Sequence, residues 1–207
     1  MIHAKDFWDG VAVKYSKQAI KDPVAYEHTL ARTLSHLRPT DHVLELGAGT
    51  GSTALRIAPH VAQITATDIS PKMMEIARDK AWNESVSNLK VQTADLHDPT
   101  IPAGPYDAVL AFNTLHLLRD IPGALARVRG PLKPGGLFIS KSVCLAGYYH
   151  PFRLMIPLMQ WIGKAPYVQI MHPSALEDMI LRAGFEIVES GDFPAKPRSR
   201  YVVARKV

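Results

Sequence analysis

The sequence is poor in cysteine: Cys144 is the one thiol in 207 residues, so no intrachain disulfide can form and a reducing compartment fits. Cys144 reads as a small buried apolar residue rather than a nucleophile. No apolar run is long enough to span a bilayer; the most apolar stretch is interrupted by Pro151, Arg153, Pro157, Lys164 and Pro166. The start, Met1 to Asp9, is polar and charged and has no secretory core, which predicts a cytoplasmic protein. No Gly-Lys-Ser/Thr follows the glycine-rich turn, which excludes a phosphate loop of that kind. The 9 histidines are scattered without metal-ligand spacing, so no metal site is expected. Net charge is only +5, and part of it lies in Lys196, Arg198, Arg200, Arg205 and Lys206. That pattern reads as a solvated face, and no nucleic-acid partner is expected. Repeats and low-complexity linkers are absent too.

What is present is one soluble globular domain, 1–207, with 47% hydrophobic and 21% charged residues. Residues 6–20 and 23–37 read as helices separated by Asp22-Pro23. Strands are expected near 43–46, 63–67, 89–93, 107–112 and 136–142, and helices near 52–59, 71–82 and 120–129. Ser70-Pro71 is a cap followed by a proline at the first helical position. This alternation implies a parallel sheet with helices on both faces. A further helix over 174–183 has Ser174 and Glu177 as a capping box and Gly184 as its stop. The last strands, near 185–190 and 200–206, fit a hairpin that adds an antiparallel strand. Residues 146–172 break the pattern with a methionine- and aromatic-rich insertion. Three roles are open for it: a helical lid over an apolar substrate, a transient membrane-surface contact, or a dimer face. Plain packing on its own domain is the fourth.

One turn carries most of the functional information. Val43–Leu46 reads as a buried parallel strand containing Glu45, followed by Gly47, Ala48, Gly49 and Gly51 and then a helical pattern. The glycines permit a tight turn and close approach of a ligand to the backbone. A second strand ends in Asp68, about 20 residues on, the spacing of a ribose-binding acid. The glycine order is not that of a dinucleotide site, whose third glycine would fall on Ser52. A carboxylate just before the turn would repel a pyrophosphate and suits a positive amino group. An adenosine-containing cofactor at the carboxyl ends of parallel strands follows.

Glu45-x-Gly47-x-Gly49-x-Gly51 together with Asp68 resembles the first two motifs of class I S-adenosylmethionine (SAM)-dependent methyltransferases. The resemblance covers the chain from about residue 6 onward, in the small-molecule group that includes bacterial quinone and phospholipid methyltransferases. It implies a Rossmann-like α/β fold: a seven-stranded, mostly parallel sheet with helices on both faces and one antiparallel strand near the C-terminus. A helical N-terminal cover over 1–38 and a lid over 146–172 go with it. The resemblance gives Asp68 the ribose hydroxyls, Ile69 the adenine face, Asp95 the adenine amino group and the Leu96 amide a ring nitrogen. Each acid also reads as a turn or cap residue. Phe112 and Asn113 would line the methionine part. Trp8 would close over the cofactor, and Tyr15 or Tyr26 would donate to its carboxylate. His116 is the candidate catalytic residue, placed to orient an acceptor or take a proton. The chemistry implied is in-line methyl transfer to a small, partly hydrophobic acceptor, without a metal, by a monomer or homodimer. The alternatives are a non-catalytic SAM-binding scaffold and, against the absence of an Asn-Pro-Pro-Tyr-type motif after the fourth strand, a nucleic-acid methyltransferase.

Overall fold

The computed structural model describes residues 3–96, 101–146, 165–196 and 198–207. The N-terminal part holds α1 (Ala4–Ser16), α2 (Pro23–Leu34), β1 (His42–Leu46), α3 (Ser52–Ile57), β2 (Gln63–Asp68), α4 (Pro71–Asn83) and β3 (Leu89–Thr93). The rest holds β4 (Tyr106–Phe112), α5 (Ile121–Arg129), β5 (Leu132–Val143), α6 (Pro173–Arg182), β6 (Phe185–Asp192) and β7 (Ser199–Lys206).

The strands form one 7-stranded sheet in the order β3-β2-β1-β4-β5-β7-β6. Neighbours from β3 to β5 are parallel, and β7 runs antiparallel to both β5 and β6. The order turns back on itself between β1 and β4, and in open sheets of this kind a crevice opens there, beyond the carboxyl ends of the strands.

Both faces are covered. On one, Leu44, Val109 and Phe138 pack against Ile121 and Leu125 of α5 and Leu176 and Ile180 of α6. On the other, Val43, Ile64 and Leu110 pack against Leu30 of α2 and Leu55 and Ile57 of α3. Burial on two sides is why β1, past its exposed first residue His42, is apolar apart from Glu45. Helix α1 lies on α4, with Ala12 against Met73, Met74 and Ala77.

Local signals set most of the boundaries. Asp22 caps α2 by accepting from the Ala25 N–H at 2.9 Å, and Ser70 caps α4 by accepting from Met73 at 3.1 Å. Two boundaries differ from the sequence reading. The helix expected over 6–20 spans 4–16: the Ser16 hydroxyl turns back to the Val13 carbonyl at 2.9 Å and the chain leaves the helix there. The capping box at Ser174 does not form. His172 is the cap residue, Pro173 occupies the first helical position, and Ser174 lies inside the helix with its hydroxyl 2.9 Å from His172 Nδ1. Glu177 instead takes Arg200 at 2.7 Å. The helical lid expected over 146–172 lies largely outside the described residues. Its described edges are tied to the domain by Ala146 N–H to the Met171 carbonyl, 3.1 Å, and Gln169 N–H to the His116 carbonyl, 2.7 Å. No helix among the described residues is long and apolar enough to cross a membrane.

Candidate active site

The glycine turn leaves β1 at the point where the strand order reverses. Gly47 has φ +67°, and a Cβ there would sit 2.3 Å from Thr114 Oγ1. That hydroxyl cannot easily retreat, because it donates towards the carbonyls of Leu46 (3.2 Å) and Phe112 (3.1 Å). Only glycine fits both the backbone angle and the space. Backbone bonds then hold the turn: Ala48 N–H to the Thr67 carbonyl at 2.9 Å and Gly51 N–H to the Ala48 carbonyl at 3.0 Å. Asp68 closes it from β2. One carboxylate oxygen accepts from Gly49 N–H at 2.9 Å and the other from Ser70 N–H at 2.9 Å.

A cleft of about 1620 Å³ opens above this turn. Sites for one small ligand typically run to about 300–1,000 Å³, so there is room for two reactants side by side. Glu45 to Gly49 line it at the end of β1, flanked by Asp68 and Ile69, then Asp95 and Leu96, on the β2–β3 side. Phe112, Asn113 and His116 flank it on the β4 side, and Trp8 and Tyr15 of α1 and Tyr26 of α2 join the wall. Of the residues singled out in the sequence, Gly51 does not line the cleft. It starts α3, and a Cβ there would meet Ala77 of α4 at 2.8 Å, so its task is packing.

Four ionisable side chains in the cleft are shifted by their surroundings, Tyr15 among them, raised by burial and secondly by Asp68. Glu45 is 2% exposed and its Oε2 has no hydrogen-bond partner. Burial, and secondly the nearby Asp68, push its carboxyl up to about 8. Burial also raises Asp68, opposed by the N–H groups of Ser70 and Gly49. His116 is 8% exposed with Nδ1 unpartnered, and burial pulls it down to about 4. Its ring is therefore neutral at neutral pH: a hydrogen-bonding group and a weak base. At the rim the Arg119 guanidinium stands 4.4 Å over the Tyr167 ring. Among the described residues no group of three or more His, Cys, Asp or Glu side chains is arranged to hold a metal.

Two contributors escaped the sequence reading. Thr114 sets the space at Gly47, and Asp9 of α1 reaches the start of α4. Each acts on a partner more than sixty residues away, so no local pattern announces it.

The fold matches that of magnesium protoporphyrin IX methyltransferase from Synechocystis PCC 6803, solved with bound SAH, at a TM-score of 0.76 and 16% identity over 98% of each chain. A family described as a methyltransferase domain matches residues 43–136, which hold the glycine turn, Asp68 and Asp95. Residues 43–136 thus match a methyltransferase-domain family, and the chain shares the fold of SAM-dependent methyltransferases. The chain is 28% identical over 177 residues to the demethylmenaquinone methyltransferase of Symbiobacterium thermophilum, covering 73% of this chain and 70% of that one. It is also 30% identical over 191 residues to the reducing polyketide synthase Preu2 of Preussia isomera, covering 86% of this chain and 8% of that protein. The chain thus spans less than a tenth of the large synthases it matches, 8% of Preu2 and 3% of the hybrid PKS-NRPS synthetase mpsA of Macrophomina phaseolina.

Proposed function

We propose that this chain transfers the methyl group of SAM to a small, partly hydrophobic acceptor by in-line displacement, with no metal taking part. The observation that carries the reading is the buried, unpartnered Glu45 carboxyl at the head of the glycine turn, beside Asp68. A buried polar atom without a partner is costly, and an ammonium group is the partner a carboxyl in this position suits. SAM supplies a methyl group on a sulfonium, which is already an activated leaving group.

The chain's own task is to hold two reactants in line and exclude water. Glu45 takes the amino group, and Gly47, Ala48 and Gly49 let the ligand approach the backbone. Asp68 spends one acceptor position on each of two N–H groups, and its remaining lone pairs face the ribose hydroxyls. Ile69 packs on adenine, with Asp95 and the Leu96 amide on its polar edge. Phe112 and Asn113 line the methionine part. Tyr15 or Tyr26 donates to the carboxylate, and Trp8 closes the site as part of the cover over 1–38. Gly51 shapes the turn without touching the ligand. His116 orients the acceptor through a hydrogen bond, since a base this weak is poorly matched to removing a proton at neutral pH. The whole of 1–207 acts as one domain, and its single cysteine suits the cytoplasm.

Calorimetry on the purified chain is expected to show binding of SAM and of its demethylated product, S-adenosylhomocysteine (SAH), and none of NAD. Binding of NAD without SAM would sink the cofactor assignment. Incubating the protein with methyl-labelled SAM and a metabolite extract, then identifying the labelled product by mass, tests the reaction itself. The same label is expected in the presence of EDTA. A chain that binds SAM and labels nothing is a binding scaffold, and labelling lost in EDTA and restored by magnesium means a metal-assisted acceptor.

A further inference from the structure

Asp9 belongs to α1, yet it serves the first turn of α4. One carboxylate oxygen accepts from the Ser70 hydroxyl at 2.5 Å and from the Lys72 backbone N–H at 3.1 Å. A negative charge suits that end of a helix. The Ser70 hydroxyl holds the Asp9 carboxyl below its usual range, against a smaller opposing effect of burial. Ser70 is fully buried, and its backbone N–H donates to Asp68 Oδ1 at 2.9 Å. Asp68 Oδ2 in turn accepts from Gly49 at 2.9 Å. An unbroken series of hydrogen bonds therefore runs from α1 through Ser70 and Asp68 to the glycine turn.

The same helix lines the cleft. Trp8, directly before Asp9, meets the Phe7 ring edge-on at 5.2 Å and the Tyr15 ring edge-on at 6.2 Å, and all three rings line the cleft. The apolar attachment of α1 is centred on Ala12 against Met73, Met74 and Ala77, with the partly buried Trp8 and Val11 packed beside it. The polar contacts of Asp9 add a directional tie to this apolar contact.

We propose that Asp9 is a positioning residue for the nucleoside cofactor: it latches α1 across the cleft and, through Ser70, steadies the Asp68 carboxylate, so that cofactor leaves when this latch opens. The proposal rests on the reading of the cleft as a SAM site. It separates Asp9 from a plain helix cap, which would alter stability and leave ligand exit unchanged.

The test uses the whole purified chain. Methyl-labelled SAM is bound and chased with excess unlabelled SAH, and its release is timed for wild type, Asp9→Ala, Asp9→Asn and Ser70→Ala. Hydrogen exchange across residues 4–16 is followed with and without SAH. Asp9→Ala is expected to release the label about ten- to hundred-fold faster, the range for charge-assisted hydrogen bonds. Asp9→Asn keeps an acceptor oxygen and is expected to restore most of the slow release. Ser70→Ala keeps the Lys72 bond and falls between. SAH is expected to slow exchange in α1 of wild type and to do so far less in Asp9→Ala. A wild type that binds neither ligand overturns the cofactor reading and the latch with it. A wild type that binds, while Asp9→Ala releases at the same rate, overturns the latch alone. Asp9 is only half-buried and lies outside the apolar core, so its substitution leaves the fold intact; should Asp9→Ala nevertheless unfold, the Ser70→Ala rate decides in the same way.

Discussion

Asp68→Ala is expected to weaken SAM binding by about a hundred-fold or more while the domain stays folded. The carboxylate has two duties in the cleft. It holds the Gly49 and Ser70 N–H groups, both at 2.9 Å, and in the proposed complex it accepts from the ribose hydroxyls. Charge-assisted bonds of this kind contribute roughly 1.5–3 kcal/mol each, so losing the ribose pair costs about 3–6 kcal/mol of binding. The turn would also loosen, because Gly49 loses the acceptor that sets its direction. Asp68→Asn keeps one acceptor oxygen and should fall in between. Calorimetric titration with SAM measures the loss, and circular dichroism reports the fold. An alanine variant with wild-type affinity would reduce Asp68 to a turn residue.

The second large effect is on Glu45, and its sign depends on pH. Burial first, and Asp68 second, hold this carboxyl near 8 against an ordinary value of 4.5. The ligand-free site therefore keeps a proton at neutral pH, and an incoming ammonium must displace it. Affinity for SAM is expected to rise as pH increases from about 6 to above 8, with up to one proton released per ligand at the acid end. Titrations in buffers of different ionisation enthalpy read that proton directly. Glu45→Gln removes the charge partner, a loss of about 3–5 kcal/mol for a buried pair at high pH, and should flatten the dependence. Fold stability moves the other way. An acid with a raised folded pKa contributes fully below its unfolded value, near 4.5, and that contribution fades as pH rises towards 8. The ligand-free wild type should therefore lose ground to Glu45→Gln across that window, as thermal melts would show. Affinity that is level from pH 6 to 8.5 would mean that Glu45 does not meet the amino group.

The parallel core was readable in advance because buried strands are apolar runs between turn residues. The strands expected near 43–46, 63–67, 89–93 and 107–112 lie within a residue of their final bounds. β5 was expected from 136 and begins at Leu132, since the strand runs through Pro134-Gly135-Gly136 with a register shift opposite Tyr106 and Ala108. Glycine and proline normally end a strand, and here tertiary pairing overrides them. The site was legible where its chemistry is local: a glycine turn, an acid before it and an acid after the next strand. It was opaque where a side chain works at a distance. Thr114 sets the space at Gly47, and Asp9 reaches Ser70, only once the sheet and α4 exist. The residues expected to hold the cofactor, Gly51 apart, do line one cleft.

The position of β7 has a consequence for how the sheet is assembled. β6 comes earlier in the sequence, yet β7 stands between it and β5. β6 has no strand partner of its own until β7 has arrived, pairing from Phe185 with Lys206 to Asp192 with Arg200. The economical route is for the two to close first as a hairpin, a local event, and then to dock as a unit on β5 through Leu137 to Val143. By that route the sheet grows on this side by pairs rather than by single strands. A lesion confined to β7 would unseat β6 as well, leaving β5 as a bare edge open to strands of other molecules.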